Sequence, residues 1–255
     1  MSSFLTFLSP VELGFAVLVV LVAGVVKGMV GFAMPMIMIS GMGSFVSPEL
    51  ALAGLLFPTV ATNGFQALRQ GAAAAWESIV RFRLFLIVGG VLLLSSAQLV
   101  RVLEPDTLLV MIGGPVVFFA VIQLLGLRLR LSSRSAVVEG LVASVAGFVG
   151  GMSGIWGPPT VMYLTALDTP KDEQMRVQGV IYGLGAVMLV AAHIGSGVLT
   201  TATAPFSALM VVPALVGMWV GGRLQDRIDQ ATFRKATLAV LLIAGLNLLR
   251  RGLMG

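Results

Sequence analysis

The chain has 255 residues, is 58% hydrophobic and only 11% charged, and has a mean hydropathy of +1.02; soluble domains carry about 25% charged residues, and much of any folded surface must face water, so the solvent here is mostly lipid. With no cysteine and one histidine, disulfides, thiolate metal sites, cysteine nucleophiles and histidine-rich metal centres are excluded. The net charge of +5 comes from arginines in short loops, which act as topology signals rather than as a face for nucleic acid.

Apolar stretches near the ~20 residues that cross a bilayer recur along the chain. The first, Val11–Val26, has no basic region before it and reads as a mature helix, not a cleavable leader. It overlaps Val19–Pro35, VVLVAGVVKGMVGFAMP, in which glycines and a proline interrupt the apolar run. Lys27 lies inside it. A charge at bilayer depth is expensive, so Lys27 either faces an anion in a cavity or snorkels to the interface. Ala51–Leu68 carries Asn63 and Gln66, whose amides either donate to an oxyanion or join helices. Leu84–Val100 and Leu108–Leu127 follow. The basic segment Arg128–Arg134, RLRLSSR, then divides a first repeat (1–127) from a second (136–255), with 128–135 as a cytoplasmic linker.

The second half echoes the first. Val142–Pro158, VASVAGFVGGMSGIWGP, matches Val19–Pro35 at a shift of 123 residues, pairing Gly24 with Gly147, Gly28 with Gly151, Met29 with Met152, Gly31 with Gly154 and Pro35 with Pro158. After a slip of one residue, Ser47-Pro48 pairs with Thr169-Pro170. Such internal repeats mark transporters. After the acidic loop Asp168–Glu173 come Arg176, Gln178 and Tyr182. Arg176 is expected to pair with Asp172 or Glu173, or to gate the site. Gly179–Leu199, containing His193, and Leu238–Leu249 complete the apolar segments. His193, Tyr163, Glu12, Glu77 and Glu139 are expected at interfaces, Trp76 and Trp219 in an aromatic belt, and Trp156 at the cavity.

Three loops are arginine-rich: Arg69–Arg83, Arg128–Arg134 and Arg223–Lys235. The positive-inside rule places all three in the cytoplasm. Each half then has three full crossings and a Gly/Pro-broken leading hairpin, so the halves are inverted and both termini lie outside. The expected fold is an all-α polytopic membrane protein. Unpaired backbone groups are tolerated at membrane depth only inside protein or beside a water-filled cavity. Two breaks, at Gly28–Pro35 and Gly151–Pro159, would therefore present bare N–H groups and positive helix ends to an anion. Gly24-x-x-x-Gly28 and Gly147-x-x-x-Gly151 read equally well as helix-packing faces.

The pair GVVKGMVGFAMP and GFVGGMSGIWGPPTVMYL closely resembles the repeated signature of the TauE/SafE sulfite exporter family. LDTPKDEQMR and IDQATFRKATLAVLLIAGL resemble that family's post-signature loop and closing segment. The resemblance implies export or uptake of a sulfur-containing anion such as sulfite, sulfoacetate or another organosulfonate, coupled to an ion gradient, in the bacterial cytoplasmic (inner) membrane. Phe32-Ala33-Met34 and Ile155-Trp156-Gly157 replace the Gly-Gly or Gly-Phe-Gly run common in such signatures, which bears on substrate size.

The candidate substrate-binding residues are Lys27, Gly28, Gly31, Phe32, Pro35, Asn63, Gln66, Gly151, Gly154, Trp156, Gly157, Pro158, Gln178 and Tyr182, with Arg176 as a gate. No catalytic or metal-binding residue and no cofactor is expected, because no HExxH, cysteine or clustered carboxylate motif accompanies the lone His193. The expected partners are a small anion, the lipid bilayer and a coupling proton or sodium ion, with no nucleic acid. An anion channel, or a carrier of another small organic anion, is the alternative.

Overall fold

The structure, a computed structural model, describes the backbone of residues 8–126, 131–224 and 230–254; Arg128, Arg130 and Arg227 lie outside the described residues. Among the described residues the chain is helical, without strands. Helix α1 (Pro10–Val30) starts at a capping box: Ser9 Oγ accepts from the Glu12 amide at 3.3 Å, and the Glu12 carboxylate accepts from the Ser9 amide at 2.7 Å. It stops where Gly31 turns left-handed at φ +83°, a conformation that costs glycine nothing. Pro35 then falls in the first turn of α2 (Met34–Met42), where its missing N–H is no loss. Helix α2 folds back beside α1. The ring of Phe45 lies 6.2 Å from that of Phe15, and a Cβ built on Gly41 would stand 2.7 Å from Val19 Cγ1.

The second half repeats these events. Helix α7 (Ala136–Ser153) ends at Gly154, also left-handed (φ +69°), and α8 (Gly157–Ala166) starts on Pro158 and Pro159. The remaining helices of the first half are α3 (Pro48–Leu68), a short α4 (Ala72–Arg81), α5 (Arg83–Ser96) with a 3-10 turn at Ala97–Arg101, and α6 (Pro105–Leu124); those of the second are α9 (Lys171–Gly195), α10 (Ala204–Leu224) and α11 (Gln230–Met254).

By length and apolarity six helical stretches among the described residues could cross a membrane: α1, Arg83–Arg101, α6, α7, Glu173–Gly195 and α10. Mid-helix Leu18, Ile87, Val91 and Val212 are more than half exposed, a surface that only an apolar solvent suits. Helices α7 and α10 do not stand out as apolar cores in the sequence, because glycine, serine and Pro213 dilute them. Helix α3 does stand out, yet Pro58, Thr59, Thr62, Asn63 and Gln66 keep it out of the six.

Small residues set the packing. Helix α1 lies along α10 and α7 along α5. A Cβ on Gly28 would meet Met218 O at 2.2 Å, and one on Gly147 would meet Gly89 O at 2.2 Å. The two Gly-x-x-x-Gly runs are thus close-packing faces, as one reading of them holds. Helices α3 and α9 run antiparallel: Gly183 abuts Asn63 while Gly179 abuts Gln66 and Ala67. Helices α6 and α11 also run antiparallel, with Gly113 against Gly245 and Gly252 against Asp106.

Charge separates the two ends of the bundle. Arg81 pairs with Glu173, and Arg134 donates to the Arg81 carbonyl at 2.7 Å and to Glu139 at 2.6 Å. At the opposite end Glu12, Glu49, Arg101, Ser196 and Thr203 line a wide polar recess. Glu139 is not interfacial. It is buried, accepting also from the Phe85 amide (3.2 Å) and the Tyr163 hydroxyl (3.3 Å), because α5 and α8 close over the start of α7. Tyr163 is buried with it rather than placed at an interface.

Candidate functional site

The two breaks face each other across a cleft between α3 and α9. Lys27, Phe32, Ala33, Pro35 and Met36 come from the first break, Gly154, Ile155, Trp156 and Gly157 from the second, with Asn63 on α3 and Tyr182 on α9. Eight of the sequence-derived candidates therefore line one space: Lys27, Phe32, Pro35, Asn63, Gly154, Trp156, Gly157 and Tyr182. Ala33, Met36 and Ile155 belong to the lining and were not legible as such from chemistry. Their signal is positional, since Ala33 and Ile155 lie in the non-helical gaps and Met36 is in the turn that follows. The free space at the centre is about 10 Å³, room for roughly one water molecule.

Lys27 is 2% exposed, so it does not snorkel. It sits one turn before the Gly31 break, and the stem crosses to α3, where Nζ donates to Asn63 Oδ1. Among the described residues no carboxylate is within ion-pairing distance of it. Desolvating an ammonium costs several kcal/mol unless a counter-charge compensates, and a single neutral amide is a poor substitute. Opposite, the Tyr182 hydroxyl donates to the Gly157 carbonyl at 3.1 Å, and its ring lies 6.4 Å from that of Trp156. These contacts tie the second break to α9.

The other candidates lie around this space. Gly28 presses on α10 and Gly151 on α5, where a Cβ would meet Leu93 O at 2.3 Å. Gly31 lies against Met175 and Gln178, and Pro158 is buried at the start of α8. Gln66 and Gln178 sit one turn beyond Asn63 and Tyr182, toward the arginine-rich end. Gln66 Nε2 donates to Met175 O at 3.0 Å and so ties α3 to α9. Arg176 lies further along. It does not pair with Glu173, whose carboxylate Arg81 takes; Nε donates instead to Ser78 Oγ (3.0 Å) and a terminal nitrogen to Gln70 (3.2 Å), with Glu77 at 4.0 Å. The Asp172 side chain lies outside the described residues.

His193 is fully buried rather than interfacial. Its Nε2 donates to the Gly151 carbonyl at 3.0 Å, which leaves Nδ1 to accept from Ser196 Oγ at 2.9 Å. The contact braces the last turn of α7 just before its break. Trp76 and Trp219 are exposed, as belt residues are, while Trp156 is buried in the cleft wall. Among the described residues no cluster of three or more His, Asp or Glu could hold a metal.

Paired helix breaks beside a common cleft are a feature that recurs in membrane transporters. Comparison with characterised proteins gives no match, and comparison with solved structures gives none either. A family model described as "Sulfite exporter TauE/SafE" matches residues 16–248, a span that includes both breaks and nearly the whole chain. The chain belongs to the TauE/SafE sulfite exporter family of membrane transporters.

Proposed function

We propose that the protein is a secondary transporter that moves a small sulfur-containing oxyanion, sulfite or an organosulfonate such as sulfoacetate, by alternating access. The observation that carries this reading is Lys27: a buried cation with no described counter-ion, aimed into a cleft between two helix breaks. An anion would supply the missing charge, and the first-turn N–H groups that Pro35, Pro158 and Pro159 leave in α2 and α8 would add donors. Family membership supports the sulfur oxyanion as the substrate class.

Inverted repeats fit the packing. The counterpart helices α3 and α9 lie antiparallel, as do α6 and α11. A two-fold axis that exchanges such pairs runs across the helices, and so in the plane of the membrane. Both described chain ends lie at the end opposite Arg81 and Arg134, since Arg251 donates to Gly43 O beside the α2–α3 loop. Positive-inside logic makes the arginine-rich end cytoplasmic and both termini external, in a bacterial inner membrane. The nearly closed cleft suits an occluded carrier better than an open channel. Arg176 on α9, bonded to Ser78 on α4 and to Gln70 in the turn between α3 and α4, closes the cytoplasmic exit.

A thermal-shift screen of the purified protein against sulfite, sulfoacetate, taurine, sulfate and thiosulfate tests the reading. One or more sulfur oxyanions should raise Tm saturably, and Lys27→Met should weaken that binding by about 10- to 150-fold, the ~1.5–3 kcal/mol of a charge-assisted hydrogen bond. No shift with any of them, or the same affinity in the variant, contradicts it.

A further inference from the structure

We propose that Gln66 and Gln178, together with the C-terminal carbonyls of α1, form a binding site for a monovalent alkali cation, one helical turn from the anion cleft. The inference rests on the transport reading and names its coupling ion.

Both glutamine Oε1 atoms are buried and have no hydrogen-bond partner. The residues are 4% and 1% exposed. Gln66 cannot be re-oriented to remove the deficit, because Nε2 is committed to Met175 O and a flip would set two carbonyl oxygens against each other. Gln178 Oε1 points at the break itself, 3.1 Å from where a Cβ on Gly31 would be. Gly31 N–H closes the last bond of α1, on Lys27 O at 2.7 Å, so the carbonyls of Gly28, Met29 and Val30 have no donor left in the helix. They are the negative end of the α1 dipole. Gln178 Oε1 thus meets the C-terminal turn of α1, and Gln66, tied to α9 through Met175 O, brings a second bare amide oxygen from α3; amide and helix-end carbonyl oxygens are the kind of ligand a hard cation takes. Among the described residues no carboxylate cluster adds the charge that a divalent ion would require.

Lys27 and this turn share α1. With the cleft empty, the ammonium opposes a nearby cation. A bound anion cancels that repulsion, so each ion strengthens the other's binding by the same factor. A cation gradient then drives the anion.

The test uses the full-length protein in detergent, with sodium chloride compared against choline chloride at equal concentration. Sodium should raise Tm by several degrees, and by more when the anion is present. Gln178→Leu should abolish the sodium shift yet keep the anion shift measured in choline salts. Gln178→Glu, which adds a charge, should enlarge it, and serves if the leucine variant does not fold. Equal Tm in sodium and choline, or an unchanged sodium shift in both variants, overturns the cation site. An anion shift that survives while the sodium shift is absent leaves the transport reading standing, whereas loss of the anion shift overturns that reading instead.

Discussion

At the scale of single residues, Lys27, Asn63, Glu139 and His193 are buried among apolar side chains while Ile87 and Val212 face outward, and each buried polar group has a role to be tested. Lys27 and Asn63 are 36 positions apart and meet only because α1 and α3 pack side by side. Lys27 is visible in the sequence as an anomaly, but its partner is not. The same holds for Glu139, whose burial depends on α5 and α8, and for His193, whose partner carbonyl belongs to α7. Glu139→Ala would strand the Phe85 amide and the Tyr163 hydroxyl. It should cost about 1–3 kcal/mol, read as a fall in Tm, with Glu139→Gln costing less. Glycines divide by surroundings. At Gly147 a Cβ meets backbone at 2.2 Å, so Gly147→Ala should destabilise by about 1–3 kcal/mol through overpacking. Gly140, on the same helix, has open space, and Gly140→Ala should be neutral or stabilise by up to ~1 kcal/mol.

At the scale of elements, glycine and proline announce the breaks, and the structure has them where those residues fall. Gly31 and Gly154 take left-handed φ, and the prolines occupy the first turns of α2 and α8. Local chemistry dictates such features, so the sequence reveals them. The clamp between α4 and α9 is not legible, because it depends on which of several nearby polar groups each arginine finds. Arg81 takes Glu173, and Arg176 is left to Ser78, Gln70 and Glu77. If this clamp closes the cytoplasmic exit, Arg176→Ala should speed the reaction of a cysteine placed at Gln66 with a membrane-impermeant maleimide added from that side. The chain has no native cysteine to interfere. A rate equal to that of the Arg176 parent would remove Arg176 as a gate.

At the scale of the molecule, the helices form one bundle in which α1 packs along α10 as α7 packs along α5. As an expectation, the repeat was legible from motif spacing. The helix pairing was not, because apolar runs specify burial without specifying partners. Cysteines at Ser9 and Ser132 should label from opposite faces of the membrane, and labelling from one face contradicts the topology. On the transport reading, the paired breaks and Lys27 carry an anion through alternating states. Counterflow in proteoliposomes tests it most directly: vesicles loaded with unlabelled sulfoacetate should transiently accumulate labelled sulfoacetate above equilibrium, and Lys27→Met vesicles should not. Simple equilibration without overshoot, or an overshoot undiminished in the Lys27 variant, would contradict it.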